Sequence, residues 1–294
     1  VHEVSRLRGT ALVGATAFLW GCVPIAGKVA LLGLSAPGLT VLRLGSAAAV
    51  LALLLRLRPK RPPRLVLVAG LGLGTNHVLY MWGLERAGAG TSQVLIQTAL
   101  LFLIAIGVLV LGERPTRREY VGAVLALLGV GIVSWQETTV APEGLAGVFL
   151  VLASAAAWAV YAAAHRWLGR DHASGGTTLW TFLLAALVVA PAVPFAPARQ
   201  PGTAPLLAAA FLCLVTLVSY WSFGEALRHI PATTAAVITT TAPVFTLALL
   251  AVTNRIDQGY VPFEPLTFAK LAGSALVVGG VVLAVAAGPG RAAR

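Results

Sequence analysis

Apolar runs of about 20 residues follow one another along the 294-residue chain, and each ends at proline, glycine or charge. About 20 helical residues cross the roughly 30 Å hydrocarbon core of a bilayer. No water there can satisfy a bare peptide group, so a run of this kind must be helical. Hydropathy predicts ten spans, over 9–30, 37–55, 65–85, 91–111, 118–135, 145–166, 175–195, 204–226, 231–253 and 266–287. Breakers fall where connections are needed: Pro37-Gly38, 59–63, 88–90, Pro115, Pro142, Gly175-Gly176, Pro201-Gly202, Pro231 and 262–265. With 58% hydrophobic and only 11% charged residues, little chain is left for a soluble domain.

The formal net charge of +11 has its cause in topology rather than in nucleic acid. Most of the cationic residues fall on the side of the bilayer that holds the N-terminus. They are Arg6 and Arg8, the run from Arg56 to Arg64, Arg114, Arg117 and Arg118, Arg166 and Arg170, Arg228, and Arg291 and Arg294. Positive loops mark the cytoplasmic side, so both chain ends are expected there. Binding of nucleic acid is not expected. The first run lacks a small-residue cleavage site and reads as a first span rather than a signal peptide. Cys22 and Cys213 each lie in an apolar stretch, which points to neither a disulfide framework nor a thiolate metal site.

The chain also repeats itself. Gly9, Trp20 and Lys28 recur as Gly147, Trp158 and Arg166 at an offset of 138, and Tyr80 and Glu85 as Tyr220 and Glu225 at 140. Thr98, Ala99, Phe102 and Ala105 match Thr241, Ala242, Phe245 and Ala248 at 143, and Gly122 and Gly129 match Gly273 and Gly280 at 151. The period is far too long for a solenoid, and a steadily growing offset means two homologous halves, 1–138 and 139–294, with longer loops in the second. Five spans in each half place the copies upside down to one another, the plan of many secondary transporters.

Several pieces together carry a family resemblance. They are the ten spans in two inverted repeats, Trp20-Gly21 with Pro24 and Lys28 in the first span, Arg43 in the second, and LGERPTRREYVGAVLALLGV from Leu111. The chain resembles the drug/metabolite transporter superfamily of EamA type, and its aromatic interior is most similar to the YddG-type amino acid exporters. The resemblance implies an all-α protein of the inner (plasma) membrane that moves small metabolites by alternating access. It departs from the pattern in two places. The second half has no Gly-Glu loop after the ninth span to match Gly112 and Glu113, and NRIDQGYVPFEP leaves Asp257 or Glu264 as the counterpart. Leu100 also stands where the second half has Pro243, so only the ninth span is expected to kink.

Transporters of this plan bind solute near mid-membrane between the halves, which directs attention to polar side chains at mid-span. Span three carries Asn76, His77 and Tyr80, and span four carries Gln93 and Gln97, at spacings that share a helix face. Span six offers Trp158, Tyr161 and His165, span eight Thr216, Ser219, Tyr220 and Trp221, and span nine Thr239, Thr240 and Thr241. Polar groups turn away from lipid, but that is equally met by helix packing. The expected solute-binding set is Trp20, Asn76, His77, Tyr80, Gln93, Gln97, Trp158, Tyr161, Tyr220, Trp221 and Thr240. His77 is alternatively a buried imidazole bonded to a neighbouring helix, and Trp20 alternatively a gate or a packing residue. Lys28 is expected to snorkel to water, and Arg43 to hold the scaffold by pairing with a helix end or an acid, with solute binding as its alternative role. Glu113, Arg114 and the opening of span five are expected to lock the halves at the cytoplasmic face, and Gly112 and Pro243 to be gating or structural positions.

Chemistry narrows the cargo. Spans three, four, six, eight and nine have no Lys or Arg at mid-depth to neutralise a phosphate ester. Aromatic, amide and hydroxyl groups suit a small neutral or zwitterionic solute with an apolar body, an amino acid above all. No Asp or Glu lies at mid-span, so facilitated export is expected, with weak proton coupling through His77 as the alternative. A cationic-drug, nucleoside or sugar effluxer of the same superfamily is the rival reading. His77 and His165 stand without a catalytic partner set or metal-ligand motif, so no enzyme, metal or cofactor is expected. The protein is expected to work as a monomer in the lipid bilayer.

Overall fold

The computed structural model describes residues 2–55, 63–112, 114–140, 143–172, 175–197, 199–256 and 259–286. Among these, every regular element is helical. Ten helical segments are long and apolar enough to cross a membrane, and they fall within a few residues of the runs read from hydropathy.

The first three spans are continuous helices: α1 (His2–Leu31), α2 (Ala36–Leu55) and α3 (Leu65–Arg86). Span four is broken into α4 (Ala89–Leu95), a 3₁₀ turn at Ile96–Thr98 and α5 (Ala99–Leu111). Spans five to eight are α6 (Arg117–Val140), α7 (Gly144–His172), α8 (Gly175–Val189) with a 3₁₀ extension over Ala190–Phe195, and α9 (Thr203–Ala226). Span nine is broken again, into α10 (Ala232–Thr239) and α11 (Ala242–Ile256), and α12 (Phe268–Ala286) is the last.

The two breaks correct the expectation of a single kink at Pro243. Span four has no proline, yet it is interrupted at Ile96–Thr98, which the offset of 143 carries onto Thr239 to Thr241. The two breaks share threonine hydroxyl bonds to the preceding turn, and in span nine Pro243 also lacks the N–H that would reach Thr239 O. Thr98 Oγ1 donates to Leu95 O at 2.7 Å, and the hydroxyls of Thr239, Thr240 and Thr241 donate to the carbonyls of Ala236, Val237 and Ile238 at 2.6–2.8 Å. Threonine bonds of this kind compete with the helical ladder and tighten the turn.

Packing follows the repeat. α1 runs along α9 as its repeat mate α7 runs along α3, α2 lies against α8, and α6 lies against α12. Lipid tails give helices no hydrophobic reason to associate, so close backbone contact through small residues takes over. Gly122 lies against Gly280, and Gly129 against Gly273. A Cβ on Gly122 would stand 2.4 Å from Gly280 O, and one on Gly129 2.5 Å from Gly273 O. Exchanging the repeat-related positions turns one of these pairs into the other, so the pseudo-two-fold axis passes between α6 and α12. The first and last helices both have their outer ends on one face of the bundle, here the terminal face. The opposite face, holding the ends of α3 and α11, is the far face.

Candidate functional site

The two halves enclose a cavity of about 140 Å³, roughly ten times the ~10–15 Å³ that one water molecule needs. Its walls come from α1, α2, α3, the broken span four, α7, α9 and the end of α10. Each wall follows from local helix geometry. Along α3, Asn76, His77 and Tyr80 share one face with Met81. The break in span four turns Gln93 and Gln97 to the same space with Ile96 and Leu100. From α9 come Thr216, Ser219 and Tyr220 at i, i+3 and i+4, one helical face.

Hydrogen bonds fix most of these polar groups in place. Asn76 Nδ2 donates to the carbonyl and hydroxyl oxygens of Ser154 on α7, both at 3.0 Å. His77 Nδ1 lies 3.0 Å from Leu73 O, an acceptor only, so Nδ1 carries the proton and Nε2 is left for other partners. Tyr80 donates to Gln93 Oε1 at 3.2 Å, and Trp20 Nε1 to Ser219 Oγ at 3.0 Å. The tie from Trp20 joins the halves at a point where α1 can approach α11. A Cβ on Gly21 would meet Phe245 Cβ at 2.6 Å, and Thr246 Oγ1 donates to Gly21 O.

Tyr220 is the hub of the aromatic wall. Its ring lies 5.2 Å from Phe182, 6.3 Å from Trp20 and 6.4 Å from Tyr161, all edge-on, and 6.3 Å from His77 in a tilted contact. Trp158 lines the cavity itself, with Tyr161 at 6.2 Å.

Trp20, Asn76, His77, Tyr80, Gln93, Gln97, Trp158 and Tyr220 therefore converge on one space. Three residues of the expected set do not line it. Trp221 is 60% exposed on the outer surface, because one residue along a helix turns the side chain about 100° away from Tyr220. Thr240 is buried, but its hydroxyl is spent on Val237 O, and Thr239 takes the place at the cavity wall. Tyr161 stands one layer back, its ring 4.7 Å from His165 and against Tyr220. The largest correction is Arg43. It pairs with neither a helix end nor an acid; its buried side chain lines the cavity and donates through Nε to Thr216 Oγ1 at 3.0 Å. Sequence reasoning had named Thr216 and Ser219 without placing them in the site, although their i, i+3, i+4 pattern with Tyr220 held that signal.

Beyond the cavity, two sets of charges tie the halves together. On the far face, Glu264 is buried between the loop before α12 and the start of α4. Its carboxylate accepts from Gly90 N at 3.0 Å, Thr91 N at 3.2 Å and Lys270 Nζ at 2.5 Å. Gly88 makes this approach feasible, since a Cβ there would stand 2.4 Å from the carboxyl carbon. The offset of 151 that relates the last glycine pairs carries Glu113 onto Glu264, Thr116 onto Thr267 and Glu119 onto Lys270. On that offset the second half keeps a glutamate, with Phe263 in place of the glycine before it. Glu113 and Asp257 lie outside the described residues. Gly112 ends α5 in the left-handed conformation, φ 67°, with its N–H returned to Gly107 O, a helix-capping geometry that favours glycine. Thr116 and Glu119 bond reciprocally to open α6, whereas Lys270, at the matching place in α12, reaches Glu264 instead.

Arg199 braces the far face again, pairing with Glu85 at 2.9 Å and donating to Leu31 O at the end of α1. Lys28, in the last turn of α1, is half-buried. On the terminal face Glu225, the repeat mate of Glu85, meets Arg8, Arg228 and His229 at 3.3–3.5 Å.

The model of the EamA-like transporter family matches this chain twice, over residues 7–135 and 145–286. The chain belongs to the EamA-like transporter family. It is therefore a multi-pass integral membrane protein with two copies of the family's unit. Its relatives include the uncharacterized inner membrane transporter YhbE of Escherichia coli, 29% identical over 81% of this chain and 79% of its own length. Another, a probable terminal-alkyne amino-acid exporter of Streptantibioticus cattleyicolor, is 27% identical over 91% of this chain and 90% of its own. A solved crystal structure covers 95% of this EamA-like transporter and 97% of its own chain with a TM-score of 0.67 at 24% identity, a likeness of fold.

Proposed function

We propose that this transporter exports small zwitterionic metabolites, foremost amino acids with apolar or aromatic side chains, across the inner membrane by alternating access without strong ion coupling. The observation that carries the reading is the composition of the cavity between the halves. Trp20, Trp158, Tyr80 and Tyr220 offer ring faces for an apolar body. Asn76, Gln93, Gln97, Ser219 and Thr216 offer amides and hydroxyls for its polar end, and no carboxylate stands among the lining residues. A pump for cations would use a carboxylate there, and the charge that does line the cavity, Arg43, has the opposite sign. The amino-acid exporter among the relatives agrees with this reading.

The test is transport by purified protein in liposomes, run against amino acids, nucleosides, sugars and cationic dyes. Amino acids are expected to move above empty vesicles, with at least a tenfold rise in KM for Trp158→Ala and Tyr80→Ala. An imposed pH gradient is expected to drive no accumulation, with or without His77→Ala. Transport of dyes but not amino acids would sink the reading, and pH-driven uptake abolished by His77→Ala would replace facilitated export with proton coupling.

A further inference from the structure

Arg43 is the most unusual group in the membrane interior. It is only 4% exposed, on α2 and against the cavity. Thr216 Oγ1 donates to Leu212 O at 2.8 Å, so the lone pairs of that hydroxyl are turned to Arg43 Nε, which donates to it at 3.0 Å. That bond uses one of the five guanidinium N–H groups. No other hydrogen bond and no carboxylate reaches the guanidinium among the described residues; the titratable groups around it are the phenols of Tyr80 and Tyr220, the imidazole of His77 and the thiol of Cys213. A buried cation without a counter-charge is costly and persists in a membrane protein where it has a function. Thr216 holds the planar fork by its Nε edge, which leaves the two terminal nitrogens for a partner in the cavity.

We propose that Arg43 is the carboxylate anchor of the cavity: its terminal nitrogens take the carboxylate of the transported solute as a bidentate pair. A guanidinium fork matches a carboxylate in shape, and the pair is charge-assisted at both contacts. One guanidinium balances one carboxylate, whereas a phosphate ester, with a charge near −2, would be left half unbalanced. In the same cavity the solute's amino group meets acceptors. Asn76 spends Nδ2 on Ser154, so its Oδ1 has no donor among the described residues, and His77 keeps Nε2. The aromatic wall around Tyr220 takes the apolar side chain that branches from the same carbon. This inference deepens the proposed function and rests on it for the identity of the cargo, but not for the chemistry of the anchor.

The experiment uses phenylalanine, phenylalaninamide, phenethylamine and 3-phenylpropionate as probes, with wild type, Arg43→Gln, Arg43→Lys and Thr216→Val. Liposome counterflow gives transport, and thermal melting of the full-length protein in detergent gives binding. Phenylalanine and 3-phenylpropionate are expected to raise the melting temperature of wild type, and the amide and amine to leave it unchanged. Arg43→Gln is expected to raise the KM for phenylalanine at least tenfold and to abolish the carboxylate-dependent shift. Arg43→Lys should keep part of both, and Thr216→Val should cause a smaller rise in KM.

The apo protein separates this role from a structural one. Removing an unbalanced buried cation is expected to leave the melting temperature of Arg43→Gln at or above that of wild type. If Arg43→Gln instead melts lower and weakens transport of every probe in equal proportion, Arg43 is a scaffold residue and the anchor is wrong. The anchor is equally wrong if Arg43→Gln keeps the preference for acid over amide, or if wild type shows none. If carboxylates stabilise wild type through Arg43 while phenylalanine is not moved, the amino acid reading falls and the anchor stands.

Discussion

The two faces of this transporter carry charge clusters of different character. On the far face, Lys270 and Glu264 pair with side chains 4% and 7% exposed, and the same carboxylate caps the start of α4. On the terminal face, Glu225 gathers Arg8 and Arg228, whose side chains are 60% and 77% exposed. A buried pair is costly to break one partner at a time, while an exposed one is worth about 0–1 kcal/mol. Under the alternating access proposed above, the ties of each face part in turn, and on the far face that means pulling the buried Glu264 carboxylate from Gly90 N and Thr91 N. Two copies of one unit have thus been given unequal latches. The place where they diverge is the T-x-x-E motif at Thr116 and Glu119, which becomes T-x-x-K at Thr267 and Lys270.

The largest effect is expected at Glu264. Glu264→Ala removes the buried carboxylate that Lys270 meets at 2.5 Å and uncaps two backbone donors, and is expected to cost about 3–5 kcal/mol of stability. Thermal melting in detergent would read it, and adding Lys270→Met is expected to restore part of the loss. A single variant that melts like wild type would show that water reaches the pair and that the two faces do not differ.

The contact between α6 and α12 is the control, because there the copies are alike. Gly129→Ala and Gly280→Ala place equivalent methyl groups 2.5 Å from Gly273 O and Gly122 O. Overpacking of this kind costs about 1–3 kcal/mol, and the two variants are expected to fall within a few tenths of one another. Unequal losses at these positions would mean that the asymmetry of the two faces extends through the whole bundle.

The comparison also separates what could be read in the chain from what could not. Span positions, the repeat and most of the cavity wall follow from local pattern, since hydropathy and the 3.6-residue period act within one helix. Trp221 was misassigned because a polar cluster of four neighbours cannot all face one side, and the i, i+3, i+4 rule alone separates Tyr220 from it. The break in span four carries no proline to announce it; the 3₁₀ turn there coincides with the bond from the Thr98 hydroxyl to Leu95 O. Arg43 and Glu264 are named by the sequence but their partners are not, for a different reason. Their roles depend on partners 173 and 174 residues away in sequence, and no periodicity within a span reports on those.

The smallest effect is expected on the terminal face. Arg8→Ala removes a 3.5 Å pair in which the arginine is mostly in water, and Arg228 and His229 still attend Glu225. The expected loss is below about 1 kcal/mol, and it should shrink further between 0.05 and 0.5 M salt as the exposed charges are screened. Melting of Arg8→Ala and Glu264→Ala against a salt series places the two faces on one scale. Salt should erase the first difference and leave the second, because ions do not reach a carboxylate enclosed by Gly88, Gly90 and Lys270. A salt-insensitive loss at Arg8 as large as that at Glu264 would mean that both faces are latched by protein interior, and that the exposure of the terminal cluster says nothing about which side opens first.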